Sequence, residues 1–261
     1  MTHPAYGSLR SVTPLASVLL ADNPSPMTLE GTNTWVLRAP GVEECVVVDP
    51  GEDDLAHLER VAAQGPVALV LVTHRHPDHA GGARRFSELT GAPVRALDGS
   101  LVLGSEALGE GDVVAAAGVE LRVVTTPGHT SDSVSFLLDG PDAAEVVLTG
   151  DTILGRGTTV IAHPDGSLGP YLDSLHRLAD LAPGIAVLPG HGPELPDAAA
   201  VARVYLAHRE QRLEQVRAAV ATLGVDVTAR QVVELVYADV DEALWPAAEW
   251  SVRAQLEYLR Q

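Results

Sequence analysis

The strongest constraint on the fold is an apolar run that ends in a cluster of imidazoles. Val67-Ala68-Leu69-Val70-Leu71-Val72 leads without a break into Thr73-His74-Arg75-His76-Pro77-Asp78-His79. An apolar run of strand length with no polar alternation suits a strand covered on both faces. Extended residues two apart share a side, so His74 and His76 converge on one point. The turn at Pro77 redirects Asp78 and His79 toward a second point. Imidazole and carboxylate are ligands for zinc and its borderline neighbours.

Three more candidates stand just past β-rich runs, each beside a glycine. They are His129 in Thr126-Pro127-Gly128-His129-Thr130, Asp151 in Thr149-Gly150-Asp151-Thr152, and His191 in Leu188-Pro189-Gly190-His191-Gly192. A neighbouring glycine lets the backbone turn tightly and approach a site closely. Ligand sites commonly sit at strand ends in open α/β sheets. A lone strand-end histidine is more often a hydrogen-bonded core or surface residue. His3, His57, His176 and His208 fit that plainer description, although His208 also has a second one below. The ordered set of five histidines and two aspartates does not fit it.

Strand-like and helix-like segments alternate through about residue 195. Strands are expected at Val36-Leu37, Glu44 to Val48, Val67 to Val72, Pro93 to Ala96, Val119 to Thr125, Ser133 to Leu138, Glu145 to Leu148 and Ile185 to Leu188. Val12 to Ala21 is also read as an early strand. Helices are expected at Asp54 to Ala63, Gly81 to Thr90 and Gly169 to Leu181. This alternation argues α/β layers, with sheets inside and helices outside. Beyond Pro196 the texture becomes helical. One helix is expected at Ala198 to Leu223, a second is capped by Thr228, and a third begins near Pro246 and ends at Leu259. The chain therefore divides into residues 1–196, carrying all seven candidate ligands, and a helical appendage at 197–261.

Charge restricts the partners. The formal net charge is −18, and all 17 basic residues are arginine. Such a chain does not attract a polyanion at long range, so an anionic substrate needs local cations. RNA is thereby disfavoured against a small molecule. The single cysteine, Cys45, allows no internal disulfide and reads as a small core residue. No apolar run reaches the ~18–20 residues of a membrane span. Nothing demands an oxidising compartment, so the expected location is the cytoplasm. Oligomeric state is left open.

The motif series resembles that of the metallo-β-lactamase superfamily, over residues from about Gly31 to Pro196. The resemblance implies an αββα sandwich, two mixed sheets face to face with helices outside. It also implies two divalent metal ions, with zinc the default and manganese or iron the alternatives. His74, His76 and His129 would hold the first ion, Asp78, His79 and His191 the second, and Asp151 would bridge them. Two ions about 3.5–4 Å apart can share a water and lower its pKa toward ~7, giving an attacking hydroxide. Asp151 would fix their spacing, and Asp78 would orient the hydroxide or shuttle its proton.

Met27 to Trp35, Gly155 to Val160 and His208 to Arg212 are similar to the lactamase-β-like 2 branch. That branch carries a winged-helix-like C-terminal region, here without its wing. Its animal member is described as an endoribonuclease acting on single-stranded RNA. The expected activity is hydrolysis of a small ester, thioester or lactone, as in the more distant glyoxalase II relatives. The alternative is a phosphodiesterase or endoribonuclease, and a non-catalytic metal module is disfavoured because every ligand is retained. Candidates for substrate contact are Asn33, Thr34, Arg156, Thr158, Thr159, His163, His208 and Arg209. Trp245 and Trp250 are expected to lock the appendage onto the main domain.

Overall fold

A computed structural model describes residue 3 and residues 5–139, 144–238 and 240–261. One sheet contains β1 (Arg10–Ser11), β2 (Ala16–Leu20), β3 (Asn33–Leu37), β4 (Cys45–Val48), β5 (Val67–Leu71) and β6 (Val94–Arg95) in chain order. Its first four strands are antiparallel, and β4, β5 and β6 run parallel. The second sheet contains β7 (Val113–Ala116), β8 (Val119–Thr125), β9 (Val134–Asp139), β10 (Val146–Gly150) and β11 (Ala186–Pro189). It is antiparallel except for the β10–β11 pair.

Parallel neighbours need a crossover, which in this chain is helical each time. Helix α1 (Leu55–Ala62) joins β4 to β5, α2 (Pro77–Ala80) and α3 (Ala83–Thr90) join β5 to β6, and α4 (Leu168–Ala179) joins β10 to β11. The two sheets pack face to face through Trp35, Leu37, Val48 and Leu71 on one side and Leu121, Phe136 and Leu148 on the other. The outer face of the first sheet packs on Leu58, Val61 and Phe86 of α1 and α3. The outer face of the second packs on Tyr171, Leu175 and Leu178 of α4. This is the expected αββα order. It explains why β4 is an unbroken Cys-Val-Val-Val: Val46 and Val48 fill the inner core, while Cys45 and Val47 fill the outer one.

The C-terminal part consists of α5 (Ala198–Leu223), α6 (Ala229–Val236) and α7 (Trp245–Tyr258). Asp197 caps α5 by accepting from Ala200 N at 2.8 Å. Thr228 and Gln231 form a reciprocal capping box on α6. The first half of α5 packs on α4 through Ala198, Ala202, Tyr205 and Leu206. Its second half joins α6 and α7 in a separate core around Val216, Val232, Val233 and Val252. Among the described residues no strand follows α7. Trp245 is half-buried and packs against this second core, beneath the Arg230 guanidinium, and Trp250 is 42% exposed. Trp245 thus serves the appendage's own core rather than its junction with the main domain. That contact is made by small and aromatic residues of α5 and by Ala254 of α7.

Two local expectations also change. The helix expected from Gly81 to Thr90 is α3, and an additional short helix, α2, precedes it because Pro77 starts one inside the ligand motif. Strand β7 carries two alanines and an exposed Val113, and its weak alternation hides it in the sequence.

The α1 face against the first sheet includes one polar side chain, His57. Its Nε2 lies 2.9 Å from Thr34 Oγ1, and that hydroxyl donates to the Asp49 carbonyl at 2.8 Å, so the imidazole N–H is the donor. Burial pushes the His57 pKa down from 6.5 to about 4. The unfolded chain takes up this proton first as pH falls. The associated stability is therefore complete above about 6.5 and lost as pH falls through about 4. A His57→Gln variant keeps a donor for Thr34 but cannot titrate. Between pH 7 and 4.5 its melting temperature should fall less than that of the parent, by roughly 5 °C. Parallel melting curves for the two proteins would show that His57 does not titrate there.

Candidate dinuclear metal centre

Seven side chains meet at one edge of the sandwich because the strands that carry them end there. The loop after β5 brings His74, His76, Asp78 and His79, and the β8–β9 loop brings His129. Asp151 directly follows β10, and His191 follows β11. The approach of the last loop requires glycine: a Cβ on Gly190 would lie 2.6 Å from the His79 ring and 2.7 Å from Asp151 Oδ1. Gly128 likewise stands against the backbone of Tyr171, at a φ of +139°.

Three groups of donors form. His74, His76 and His129 make one, Asp78, His79 and His191 another, and Asp151 joins His74 and His79 in a third. Within each group the donor atoms lie within 4.8 Å of one another. His76 Nδ1 is 3.1 Å from His74 Nε2 and 3.0 Å from His129 Nε2. On the other side His79 Nε2 is 3.2 Å from His191 Nε2, and Asp78 Oδ2 is 3.1 Å from His191 Nε2.

The second nitrogen of most of these rings is already committed, which fixes the tautomer. His129 Nδ1 donates to the Val160 carbonyl at 2.6 Å, and His191 Nδ1 to the Gly31 carbonyl at 3.1 Å. His79 Nδ1 donates to Asp49 Oδ2 at 2.8 Å. Thr73 Oγ1 donates to the same Asp49 oxygen at 2.7 Å, so its lone pair accepts from His74 Nδ1 at 3.0 Å. Four rings therefore turn a bare Nε2 inward, and His76 turns its Nδ1. Asp49 is not among the candidates that the sequence offers. It is 1% exposed, holds a left-handed φ of 54°, and ties β4 to the ligand loop through Thr73 N as well.

The electrostatics divide the cluster in two. Burial pushes His129 down to about 4 and His74 well below its ordinary value, so these rings stay neutral. Burial also disfavours charge on His191, but Asp151 and Asp78 outweigh it and hold its pKa up to about 9. Asp78 in turn is held down to about 2, because His79 and His191 outweigh its burial. Two half-buried carboxylates thus draw positive charge toward this side of the cluster. Asp151 Oδ1 is buried with no hydrogen-bond partner. Ring nitrogens turned inward, an orphaned carboxylate oxygen and two acidic side chains among five imidazoles fit two divalent cations sharing Asp151.

A cleft of about 490 Å³ opens over His129 and Asp151. Of the substrate-contact candidates, Arg156, Thr158, Thr159, His208 and Arg209 line it. Thr159 is buried and turns its hydroxyl to His129 Nδ1 at 3.2 Å. Asn33 and Thr34 are placed elsewhere. Thr34 is fully buried, with its hydroxyl spent on Asp49 and His57. The Asn33 amide donates to the Pro189 and Gly192 carbonyls and so braces the His191 loop. His163 pairs with Glu257 of α7 at 2.9 Å, outside the cleft lining. Sequence reasoning missed the wall opposite the ligands, which comes from Tyr237, Val240, Leu244, Ala247 and Ala248. These are ordinary apolar residues of the α6–α7 connection and the start of α7, and nothing in their spacing marks a cleft.

Comparison with known proteins agrees with this geometry. The metallo-β-lactamase superfamily model matches residues 27–191, and the model of a β-lactamase-associated winged-helix domain matches residues 228–261. A β-lactamase-like protein 2 homolog of Drosophila melanogaster is 31% identical, over 93% of this chain and 87% of the relative. An atrochrysone carboxyl ACP thioesterase of Aspergillus chevalieri is 30% identical, over 92% and 78%. The crystal structure of a β-lactamase domain protein from Burkholderia ambifaria superposes with a TM-score of 0.78 at 27% identity, covering 99% of this chain and 89% of that one. With its ligand motifs, sandwich and helical extension all accounted for, the chain belongs to the metallo-β-lactamase superfamily and is a metal-dependent hydrolase.

Proposed function

We propose that this hydrolase cleaves a small-molecule acyl ester or thioester. The observation that carries this reading is the makeup of the cleft beside His129 and Asp151. Its far wall is apolar, and its rim arginines are engaged within the protein. Arg156 pairs with Glu30 at 2.6 Å. Arg212 lies over the Tyr237 ring at 4.7 Å and donates to the Val236 carbonyl at 3.1 Å. A phosphodiester chain needs a row of available cations, and a chain of net charge −18 supplies none at long range. The likeness to a relative named as an ACP thioesterase supports the same reading.

His74, His76 and His129 would hold one ion and Asp78, His79 and His191 the other, with Asp151 shared. Zinc is the metal this donor set favours. When bound, the pair supplies Lewis acidity and a water acidic enough to react near neutral pH. The protein's own groups supply the rest. Asp151 fixes the distance between the two halves of the cluster. Asp78 is only partly buried, with its side chain 21% exposed, and would orient the reacting water or take up its proton. The Val160 and Gly31 carbonyls hold His129 and His191 in one ring orientation. Tyr205 donates to the Leu154 carbonyl at 3.2 Å and accepts from Leu154 N, which keeps the loop after Asp151 against α5. One buried cysteine and no need for a disulfide suit a cytoplasmic setting.

Metal analysis joined to a substrate panel tests the proposal. Purified protein should carry about two divalent ions per chain and cleave simple thioesters and esters faster than phosphodiesters or short RNA. A fully loaded protein active on RNA and inert toward every acyl substrate would overturn it. Replacing Asp151 or His76 by Ala should lower turnover by about a thousandfold or more, with chelated samples melting like the chelated parent. Asp49→Asn keeps the shape of the side chain but removes the charge that orients His79 and Thr73. It should weaken metal affinity by about 10–100-fold, read by competition with a chromogenic chelator. An unaltered affinity would remove Asp49 from the support of the site.

A further inference from the structure

Arg209 is the one arginine among the buried described residues, at 5% exposure. It stands on α5 where that helix borders the cleft. Its guanidinium donates to the Thr159 carbonyl and lies over the Tyr171 ring at 5.1 Å. No carboxylate among the described residues comes within ion-pairing distance of it, and its Nε has no hydrogen-bond partner. The neighbouring His208 Nδ1, also on the cleft, is likewise unpartnered. An arginine stays charged under all ordinary conditions, and burying that charge without a counter-ion is costly. Each of the other two arginines on the cleft already has a partner, Glu30 for Arg156 and Tyr237 for Arg212.

The opposite wall has a different character. Val240, Leu244, Ala247 and Ala248 present carbon, and Met27 on the rim is 41% exposed. A ligand spanning the cleft must therefore bring an apolar body and one negatively charged oxygen group.

We propose that His208 and Arg209 form a carboxylate subsite, so that the preferred substrate is an apolar acyl ester or thioester whose acyl part carries a carboxylate. This rests on the acyl-hydrolase reading above and narrows it. Charge-assisted pairing with a planar guanidinium gives the carboxylate its affinity and direction. The apolar wall gives affinity that grows with each buried methylene.

The test uses metal-loaded enzyme and two N-acetylcysteamine thioesters of equal length, octanoyl and 7-carboxyheptanoyl. The carboxylate-bearing substrate should have the higher kcat/KM by about tenfold or more, the scale of one charge-assisted contact. In Arg209→Gln that ratio should fall to about one. Damage to the fold or to the nearby loop would lower both values together and leave the ratio unchanged, which would overturn the proposal. Shortening the acyl part to succinyl should cost about tenfold or more in KM, and equal KM values would count against the apolar wall. Calorimetric binding of the two hydrolysis-inert ketone analogues reads the subsite without turnover. If neither thioester is cleaved but the carboxylate analogue binds more tightly, the acyl-hydrolase reading fails and the subsite stands. Equal binding of the analogues to the parent protein removes the subsite.

Discussion

The metal-binding edge depends on one buried carboxylate. Asp49 accepts from the backbone and hydroxyl of Thr73 and from the His79 ring, at 2.7–2.8 Å each. Those three bonds decide where the loop after β5 leaves the sheet, and through Thr73 they also set the tautomer of His74. A carboxylate in a dry interior is tolerable only when its lone pairs are satisfied. Donors and acceptor therefore fix each other, so the ligand loop is rigid before any cation arrives. The left-handed backbone at Asp49 is a strained feature that the network holds in place.

The catalytic half of the molecule was largely written in local sequence. Unbroken apolar runs marked strands covered on both faces, and each strand-end motif put a histidine or aspartate where the fold needed it. The seven ligand candidates converge because strand ends are topologically equivalent places, so a one-dimensional pattern translates directly into a shared edge. Long-range partners were not legible. Asp49 carries no local signal because its side-chain bonds go to residues more than twenty positions away. Asn33 and Thr34 stood as candidates for substrate contact, yet their groups are consumed by Pro189, Gly192, Asp49 and His57. The helices of the C-terminal part were legible from caps and periodicity. The surface they turn toward the cleft was not, since periodicity distinguishes buried from exposed but not one buried neighbour from another.

The cluster also shows how an acidic protein handles its own charge. Carboxylates outnumber arginines about two to one along the chain, and Asp78 and Asp151 repeat that excess in the interior. In the half nearest Asp78 the rings are pushed toward protonation, and in the half nearest His129 away from it. The same burial thus yields a neutral imidazole trio on one side and an electron-rich mixed set on the other. The two halves differ in their demand for positive charge although the residue types overlap.

Helix α5 belongs to two cores at once, with its first half against α4 and its second half against α6 and α7. All seven ligands precede it, while about half of the apolar residues lining the cleft follow it. Chemistry and selectivity are consequently stored in separate stretches of chain joined by a single rigid strut. Drift in the trailing helices can retune which molecules are admitted without disturbing the donors that do the cutting, so this architecture lets descendants change diet while inheriting the same tooth.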